Sequence, residues 1–229
     1  MQLTTLPAQK NNLVISIINA LVILALLITN IASPVAIVLG YFFETIIIGI
    51  LNVVKMILVI GNRKNSNDKE PLALQLMLIP FVMFHYGCFI YVQSVFVFLF
   101  FSKSGMGIER FPSINNFIHA FRIEGIPEVV LVLAIPNVIY FFTDFIKKKS
   151  YLNLPVMVLM FQPYTRIVIQ QLVVIISGFF ILVKNTGWIA AVLLIIIKLL
   201  VDIRVIKVLP GDDQLLEKYR EQQKNRPSW

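Results

Sequence analysis

Charged residues are scarce in this chain of 229 residues: only 14% are Asp, Glu, Lys or Arg, whereas 58% are hydrophobic. A soluble domain carries charge on about a quarter of its residues. The mean hydropathy of +0.84 and the 18 phenylalanines are more than a soluble globule of this length can bury. The composition therefore excludes a water-soluble globule and predicts an integral membrane protein.

Only one cysteine is present. Cys88 lies inside an apolar run, so the chain can form no internal disulfide and has no CxxC metal or redox pair. The formal net charge of +8 does not indicate nucleic acid, because no polar stretch is long enough to fold a binding domain. Membrane topology explains the basic residues better, and we predict no nucleic-acid partner.

Catalytic and nucleotide-binding motifs are also missing. The chain has no HExxH, no GxSG with a partner histidine in a span, and no paired YD and GxGD aspartates. It has neither GxxxxGK[ST] nor GxGxxG. The sequence therefore implies no metal and no cofactor, and transport would be passive, gradient-driven or powered by a partner.

Six apolar stretches are long enough for transmembrane helices, which need about 20 residues each. They lie at about Leu13–Thr29, Val35–Ile60, within Pro71–Phe101, and at about Pro127–Ile146, Tyr164–Val183 and Trp188–Val208. A short piece at Pro112–Ile126 is predicted to be interfacial or re-entrant. The predicted fold class is an all-α polytopic transmembrane bundle of about six spans over residues 1–209, followed by a polar cytoplasmic tail over 210–229.

Basic residues in the connections indicate the orientation of this bundle. One side carries Lys10, Arg63, Lys64, Lys69, Lys147, Lys148, Lys149, Arg204, Lys207, Lys218, Arg220, Lys224 and Arg226. The opposite side carries only Lys103, Arg110, Arg122 and Lys184. Because Lys and Arg concentrate on the cytoplasmic side, we predict that both termini are cytoplasmic. We also expect the run at 147–149 to meet anionic lipid at that face of the bilayer.

Ionisable residues inside the spans are balanced, with three of each sign: Lys55, Arg166, Lys198, Glu44, Asp144 and Asp202. Charges in hydrocarbon persist only when they are paired or face a wet interior. At about 1.5 Å of rise per residue, Glu44, His85 and Lys198 fall near the midplane. A second layer roughly 12 Å toward the cytoplasm contains Lys55, Asp144 and Arg166. We therefore predict one polar interior with a central and a cytoplasmic layer.

Helical spacing places several of these residues on common faces. Glu44 and Lys55 are eleven residues apart on the second span and lie close to Asn52. On the sixth span, Lys198 and Asp202 are four apart and can pair directly.

Spacing also suggests polar stripes on the third and fifth spans. His85 and Gln93 are eight apart beside Tyr86, and Arg166 and Gln170 are four apart. The primary candidates for a substrate or ion pathway are Glu44, Asn52, Lys55, His85, Lys198 and Asp202. The secondary candidates are Tyr86, Gln93, Asp144, Arg166 and Gln170.

Each leading candidate also has a structural interpretation. Glu44 is a candidate proton carrier or cation ligand, but it could instead form a buried ion pair with Lys198 or Lys55 that fixes helix register. His85 could relay protons, or it could be a neutral imidazole hydrogen-bonded between helices. Arg166 could hold a phosphate or carboxylate, or it could reach the interface or pair with a carboxylate.

Four segments together resemble a known protein family. They are the stretch Tyr41–Lys55 with its Glu-Thr and Gly-Ile-Leu-Asn groups, His85-Tyr86-Gly87, the Pro163–Ile167 run, and Lys198-x-x-x-Asp202. They resemble an uncharacterised bacterial family of integral-membrane proteins, one of the domain-of-unknown-function groups, from the second span to the sixth. The resemblance implies a bacterial inner-membrane protein with an all-helical fold and no established activity.

Three functions fit these residues. A small transporter or channel-like protein for protons, ions or a small polar solute predicts a water-accessible cavity that reaches Glu44. An intramembrane or lipid-modifying enzyme predicts a lateral opening beside Arg166. A non-catalytic membrane subunit predicts a dry, fully paired polar core. The sequence leaves open a homo-oligomer or a partner subunit.

Overall fold

A computed structural model describes residues 7–62, 70–102, 105–152, 154–161, 164, 174–176 and 187–208, without the side chains of 7–13, 190 and 201–208. Most of the backbone in these ranges is helical, short turns and irregular connections make up the rest, and no strand occurs. Most of the predicted fifth span and the predicted tail at 210–229 lie outside the described residues. The all-α class is confirmed for the part of the chain that is described.

Five long helices and several short ones make up this part of the fold. The long helices are α1 (Pro7–Ile28), α2 (Pro34–Gly61), α3 (Leu72–Phe101), α5 (Ile126–Tyr140) and α7 (Gly187–Val208). The short elements are α4 (Ile114–Phe121), a π-helix that continues α5 (Phe141–Lys147), a 3-10 turn (Ser150–Leu152) and α6 (residues 156–161).

Local sequence explains where these helices begin. The Ser33 hydroxyl accepts a hydrogen bond from the Ala36 amide, and Pro34 occupies the first turn of α2. A serine cap satisfies an amide that the first turn leaves free, and proline has no amide to satisfy there. Ser113 caps α4 in the same way by accepting from the Asn116 amide. The predicted interfacial piece therefore does contain a helix.

In the described part of the chain, three helices are long and apolar enough to cross a membrane: Pro34–Gly61, Leu72–Phe101 and Ile126–Lys147. These agree with the predicted second, third and fourth spans to within one or two residues. Val14–Ile28 and Gly187–Leu200 are shorter apolar helices. Six spans and the orientation of the termini stay predictions.

Helix α2 lies at the centre of the described fold. Its residues 35–45 are all buried, and it packs against α3, α5 and α7. A helix that is apolar on every side can face protein or lipid, and α2 also exposes Ile50, Val54 and Ile57. Helix α1 packs against α5 and α7, which completes a layer around one end of α2.

Helices α2 and α3 run in opposite directions. The Phe42 and Phe98 ring centroids are 6.1 Å apart, whereas the Tyr86 hydroxyl donates to the Thr45 carbonyl further along α2. At Gly49 an added Cβ would overlap the Tyr86 ring. The missing side chain therefore allows the tyrosine to lie flat against α2.

Helices α2 and α5 begin side by side and run in the same direction. Gly125, which precedes α5, has a φ of +84°. A Cβ at this position would lie 2.6 Å from the Ile31 carbonyl oxygen and 2.9 Å from the Ala32 Cα. Glycine is therefore required twice here, by the left-handed backbone and by the close approach of the preceding turn.

Candidate functional site

The carboxylate of Glu44 lies at the meeting point of three helices. It projects from α2, and its side chain is only 1% exposed. The Lys198 ammonium of α7 pairs with Oε2, and the Asn137 Nδ2 of α5 donates to Oε1 over 3.0 Å. Both carboxylate oxygens therefore have a partner from another helix.

Lys198 has a second favourable neighbour. Its Nζ lies 4.7 Å from the centroid of the Tyr41 ring, and its side chain is 14% exposed. A cation over an aromatic face is attracted by the ring quadrupole, and more strongly where water is excluded. The ammonium is thus held between a carboxylate and a ring on the same helix, α2.

Asn137 lies next to a proline inside α5. It directly follows Pro136, and its Nδ2 also donates to the Leu133 carbonyl over 2.9 Å. Because proline has no amide hydrogen, the Val132 carbonyl, four residues earlier, loses its partner within the helix. The Asn19 Nδ2 of α1 donates to that carbonyl over 2.6 Å. Hydrogen bonds thus join α1 to α5, and α5 to the carboxylate on α2.

The end of α5 departs from α-helical geometry. The backbone continues as a π-helix over Phe141–Lys147, in which Asp144 pairs with the Lys148 ammonium that follows it. The Ser150 hydroxyl donates to the Asp144 carbonyl over 2.8 Å. Short π-helical segments recur at functional sites, because they re-aim side chains within a helix.

Lys55 occupies a second polar position on α2. Its Nζ lies 5.1 Å from the Tyr140 ring centroid and 5.5 Å from the Phe145 ring centroid. Glu44 and Lys55 therefore both contact α5 or its π-helical extension, as their spacing of eleven residues predicts. They lie at two levels of the same helix face.

Two further predicted residues lie beside this face. Asn52 is buried, and its Nδ2 is 3.9 Å from the Met56 sulfur. The buried Tyr86 hydroxyl donates to the carbonyl of Thr45, the residue that follows Glu44. Tyr86 thus fixes the backbone next to the carboxylate.

His85 lies in a different environment from Glu44. Its ring is exposed and stacks on Phe81 at 5.5 Å between ring centroids, with Phe89 at 5.2 Å and Tyr164 at 5.4 Å. No contact among the described residues joins it to Glu44 or Lys198. The predicted convergence of His85 with the central layer is therefore not seen in this part of the chain.

Gln93 does not share the surroundings of His85 either. It is buried, and its Nε2 has no hydrogen-bond partner among the described residues. The two candidates on the predicted fifth span, Arg166 and Gln170, lie outside the described residues. Asp202 lies on α7, but its side chain is not described.

No group of three His, Cys, Asp or Glu side chains within the described ranges could hold a metal ion. What the site offers chemically is a carboxylate and an ammonium in a buried pair, with an amide and an aromatic ring around them.

Three residues of this arrangement are absent from the sequence-based candidates: Tyr41, Asn137 and Asn19. The sequence does carry a signal for Asn137, since an amide directly after a proline in an apolar span marks a helix break with a polar group beside it. Asn19 is a polar residue in the first apolar span, but its partner is a backbone carbonyl that no side-chain pattern reveals.

A family model described as a family of unknown function, DUF6498, matches residues 1–227. No curated protein and no solved structure matches the chain. The match agrees with the expected place in a family without an established activity, whereas the bacterial inner-membrane location stays a prediction.

Proposed function

We propose that this chain, which belongs to the DUF6498 family, is a small multi-pass membrane transporter that moves protons or small cations past the Glu44 carboxylate. One observation carries the proposal: a carboxylate that is 1% exposed, on a helix long enough to cross a membrane, is neutralised by an ammonium from another helix. Ionisable residues at membrane depth usually mark an ion or substrate pathway. The location proposed with it is the bacterial cytoplasmic membrane, with both termini inside.

In this proposal the Lys198 ammonium pairs with the Glu44 carboxylate whenever no transported cation is bound there. A proton or cation that reaches Glu44 neutralises the carboxylate, and the ammonium then keeps its contact with the Tyr41 ring. When the cargo leaves, Lys198 returns to Glu44. At each stage the carboxylate has one positive partner, and while the cargo is bound the contact with the Tyr41 ring offsets part of the cost of leaving the ammonium without its carboxylate.

Two features of α5 support movement at this site. Pro136 interrupts the hydrogen bonds of α5 one residue before Asn137, and the π-helix begins a turn later. A proline and a π-helical segment are places where a helix can bend, which would allow one part of a transporter to move against another. Lys55, at the predicted cytoplasmic layer, then sets the charge of the inner mouth, and the exposed Lys147–Lys149 run meets anionic lipid.

The test is a flux measurement in reconstituted liposomes. Purified protein is placed in vesicles loaded with a pH-sensitive dye, a potassium diffusion potential is imposed with valinomycin, and sodium uptake is followed separately with a radioactive tracer. We expect wild type to exceed empty vesicles for one of the two cations. Glu44→Gln should lower that flux to the level of empty vesicles, and Glu44→Asp should retain part of it.

Only folded protein, collected as the monodisperse size-exclusion peak, is reconstituted. If Glu44→Gln does not fold, Glu44→Gln/Lys198→Met replaces it, since this variant removes both charges and leaves no unpaired one. Equal flux in wild type and in the folded variant, or wild-type flux no greater than that of empty vesicles for both cations, would overturn the proposal.

One observation favours a second function, a membrane subunit with a structural polar core. Both Glu44 oxygens have protein partners, so the pair alone could fix the register of α2, α5 and α7. In that case the vesicles show no flux, and the Glu44 variants differ from wild type only in stability.

A further inference from the structure

Pro136 leaves the Val132 carbonyl of α5 without its hydrogen-bond donor from within the helix. In a regular α-helix the amide of residue 136 would donate to the Val132 carbonyl, and proline has none. In an apolar environment an unsatisfied carbonyl is costly. The donor comes from another helix, because the Asn19 Nδ2 of α1 lies 2.6 Å from the Val132 oxygen.

The peptide held in this way is adjacent to the one that orients the site. The Leu133 carbonyl, next along the chain, accepts from the Asn137 Nδ2, which also donates to Glu44. Helix α1 in addition packs against α7, which carries Lys198. It therefore contacts both helices that supply partners to the carboxylate.

We propose that Asn19 is a positioning residue of the Glu44 site: by holding the Val132 carbonyl that Pro136 frees, it docks α1 on α5 and sets the position from which Asn137 binds the carboxylate. Withdrawal of α1 releases this peptide, and Glu44 then exchanges its partners more readily. The role in transport rests on the proposed function, whereas the positioning of Asn137 does not.

The proline provides a specific test, since Pro136→Ala restores the amide that would satisfy Val132 from within α5. Asn19→Leu removes the donor at nearly constant size. The two changes are combined in a double-mutant cycle, which separates a shared interaction from two independent effects. Thr29→Val is the control at the end of α1, because Thr29 directly follows this helix and its hydroxyl donates to the Ala25 carbonyl in the last turn over 2.8 Å.

Two measurements are made on each folded variant: the rate at which a lipid-soluble carbodiimide labels Glu44, located by mass spectrometry, and the cation flux described above. We expect Asn19→Leu to raise the labelling rate by about three- to twenty-fold, the range that corresponds to one hydrogen bond between membrane helices. In the Pro136→Ala background the same substitution should change the rate by less than about two-fold. Thr29→Val should leave it unchanged, and Asn19→Gln, which keeps a donor, should restore part of the wild-type rate.

The outcomes separate this inference from the proposed function. If the labelling rates follow the cycle while wild type shows no flux, the positioning role stands and the transport proposal fails. If Asn19→Leu has no effect on labelling, or the same effect with and without Pro136, the positioning role is overturned, even where Glu44→Gln abolishes flux. Should Pro136→Ala not fold, equal labelling rates for Asn19→Leu and Asn19→Gln would overturn it.

Discussion

Two ion pairs in this molecule differ in almost every respect that determines their strength. Glu44 and Lys198 are 154 residues apart in sequence, join α2 to α7, and are 1% and 14% exposed. Asp144 and Lys148 are four residues apart, and their side chains are 15% and 52% exposed. The first pair exists only because the helices pack together, whereas the second can form as soon as one helical turn exists.

The comparison indicates which pair the fold depends on. A pair one turn apart with a half-exposed lysine contributes little, because water already solvates the ammonium. A buried pair has lost that solvation, so each charge depends on the other and on nearby polar groups. Asn137 and Tyr41 provide those groups for Glu44 and Lys198.

The largest effect is expected from removing one buried charge. Lys198→Met leaves the Glu44 carboxylate buried without its ammonium, and we expect a loss of about 3–5 kcal/mol in the free energy of unfolding. The change is measured by denaturant titration of purified protein in detergent micelles.

The control is the double variant Glu44→Gln/Lys198→Met, which removes both charges and should recover most of that loss. A single variant as stable as wild type, or a double variant less stable than the single one, would show that the pair is not the unit on which packing depends.

A smaller loss is expected from Asn137→Leu, which removes the amide donor but leaves the ion pair in place. A hydrogen bond to a charged group inside a membrane protein contributes about 1–2 kcal/mol. Asn52→Leu is the matched control, because among the described residues its buried amide has a weak hydrogen bond to the Met56 sulfur, at 3.9 Å, and none to a charged group. The same unfolding titration should show a larger loss at position 137 than at position 52, and the reverse order would argue that Asn137 does not stabilise the carboxylate.

The smallest effect is expected at the pair formed by Asp144 and Lys148. Asp144→Asn should cost at most about 1 kcal/mol, and this loss should shrink in high salt, since salt screens exposed charges. The loss caused by Lys198→Met should hardly depend on salt. Parallel unfolding titrations at low and high sodium chloride compare the two, and a salt-independent loss at Asp144 would remove the distinction between the pairs.

Much of the described fold could be predicted from hydropathy and turn chemistry. The bounds of α2, α3 and the α5 region follow from apolar runs that end at Gly61, at Phe101 and near the lysines at 147–149. The depth estimate also placed Glu44 and Lys198 in one layer, and their pairing was one of the two interpretations of Glu44. The rotation of each helix about its own axis could not be predicted, because it depends on packing between distant segments.

Helical geometry explains one agreement and one failure among the predicted faces. Eleven residues bring a helix to within about 20° of its starting direction, so Glu44 and Lys55 share a face. Eight residues leave a difference of about 80°, and this separates the exposed His85 from the buried Gln93. A stripe inferred from eight-residue spacing is therefore too wide to define one side of α3.

Spacing within one helix also identifies neighbours more readily than partners. Lys198 and Asp202 are four residues apart on α7, yet the partner that the structure describes for Lys198 is Glu44 of α2. The link between Asn19 and Val132 was hidden for a related reason. Its acceptor is a backbone carbonyl, which becomes available because Pro136, four residues later in α5, has no amide hydrogen.

The close fit of Gly125 against Ile31 and Ala32 has a consequence for biosynthesis. The turn between α1 and α2 leaves the ribosome well before Gly125 does, so α5 meets a surface that has already been made. We expect the turn between α1 and α2 to act as a template during insertion, with α5 adding to it in order of synthesis. A side chain at position 125 would then lower the amount of protein that inserts more than it lowers the stability of the inserted protein.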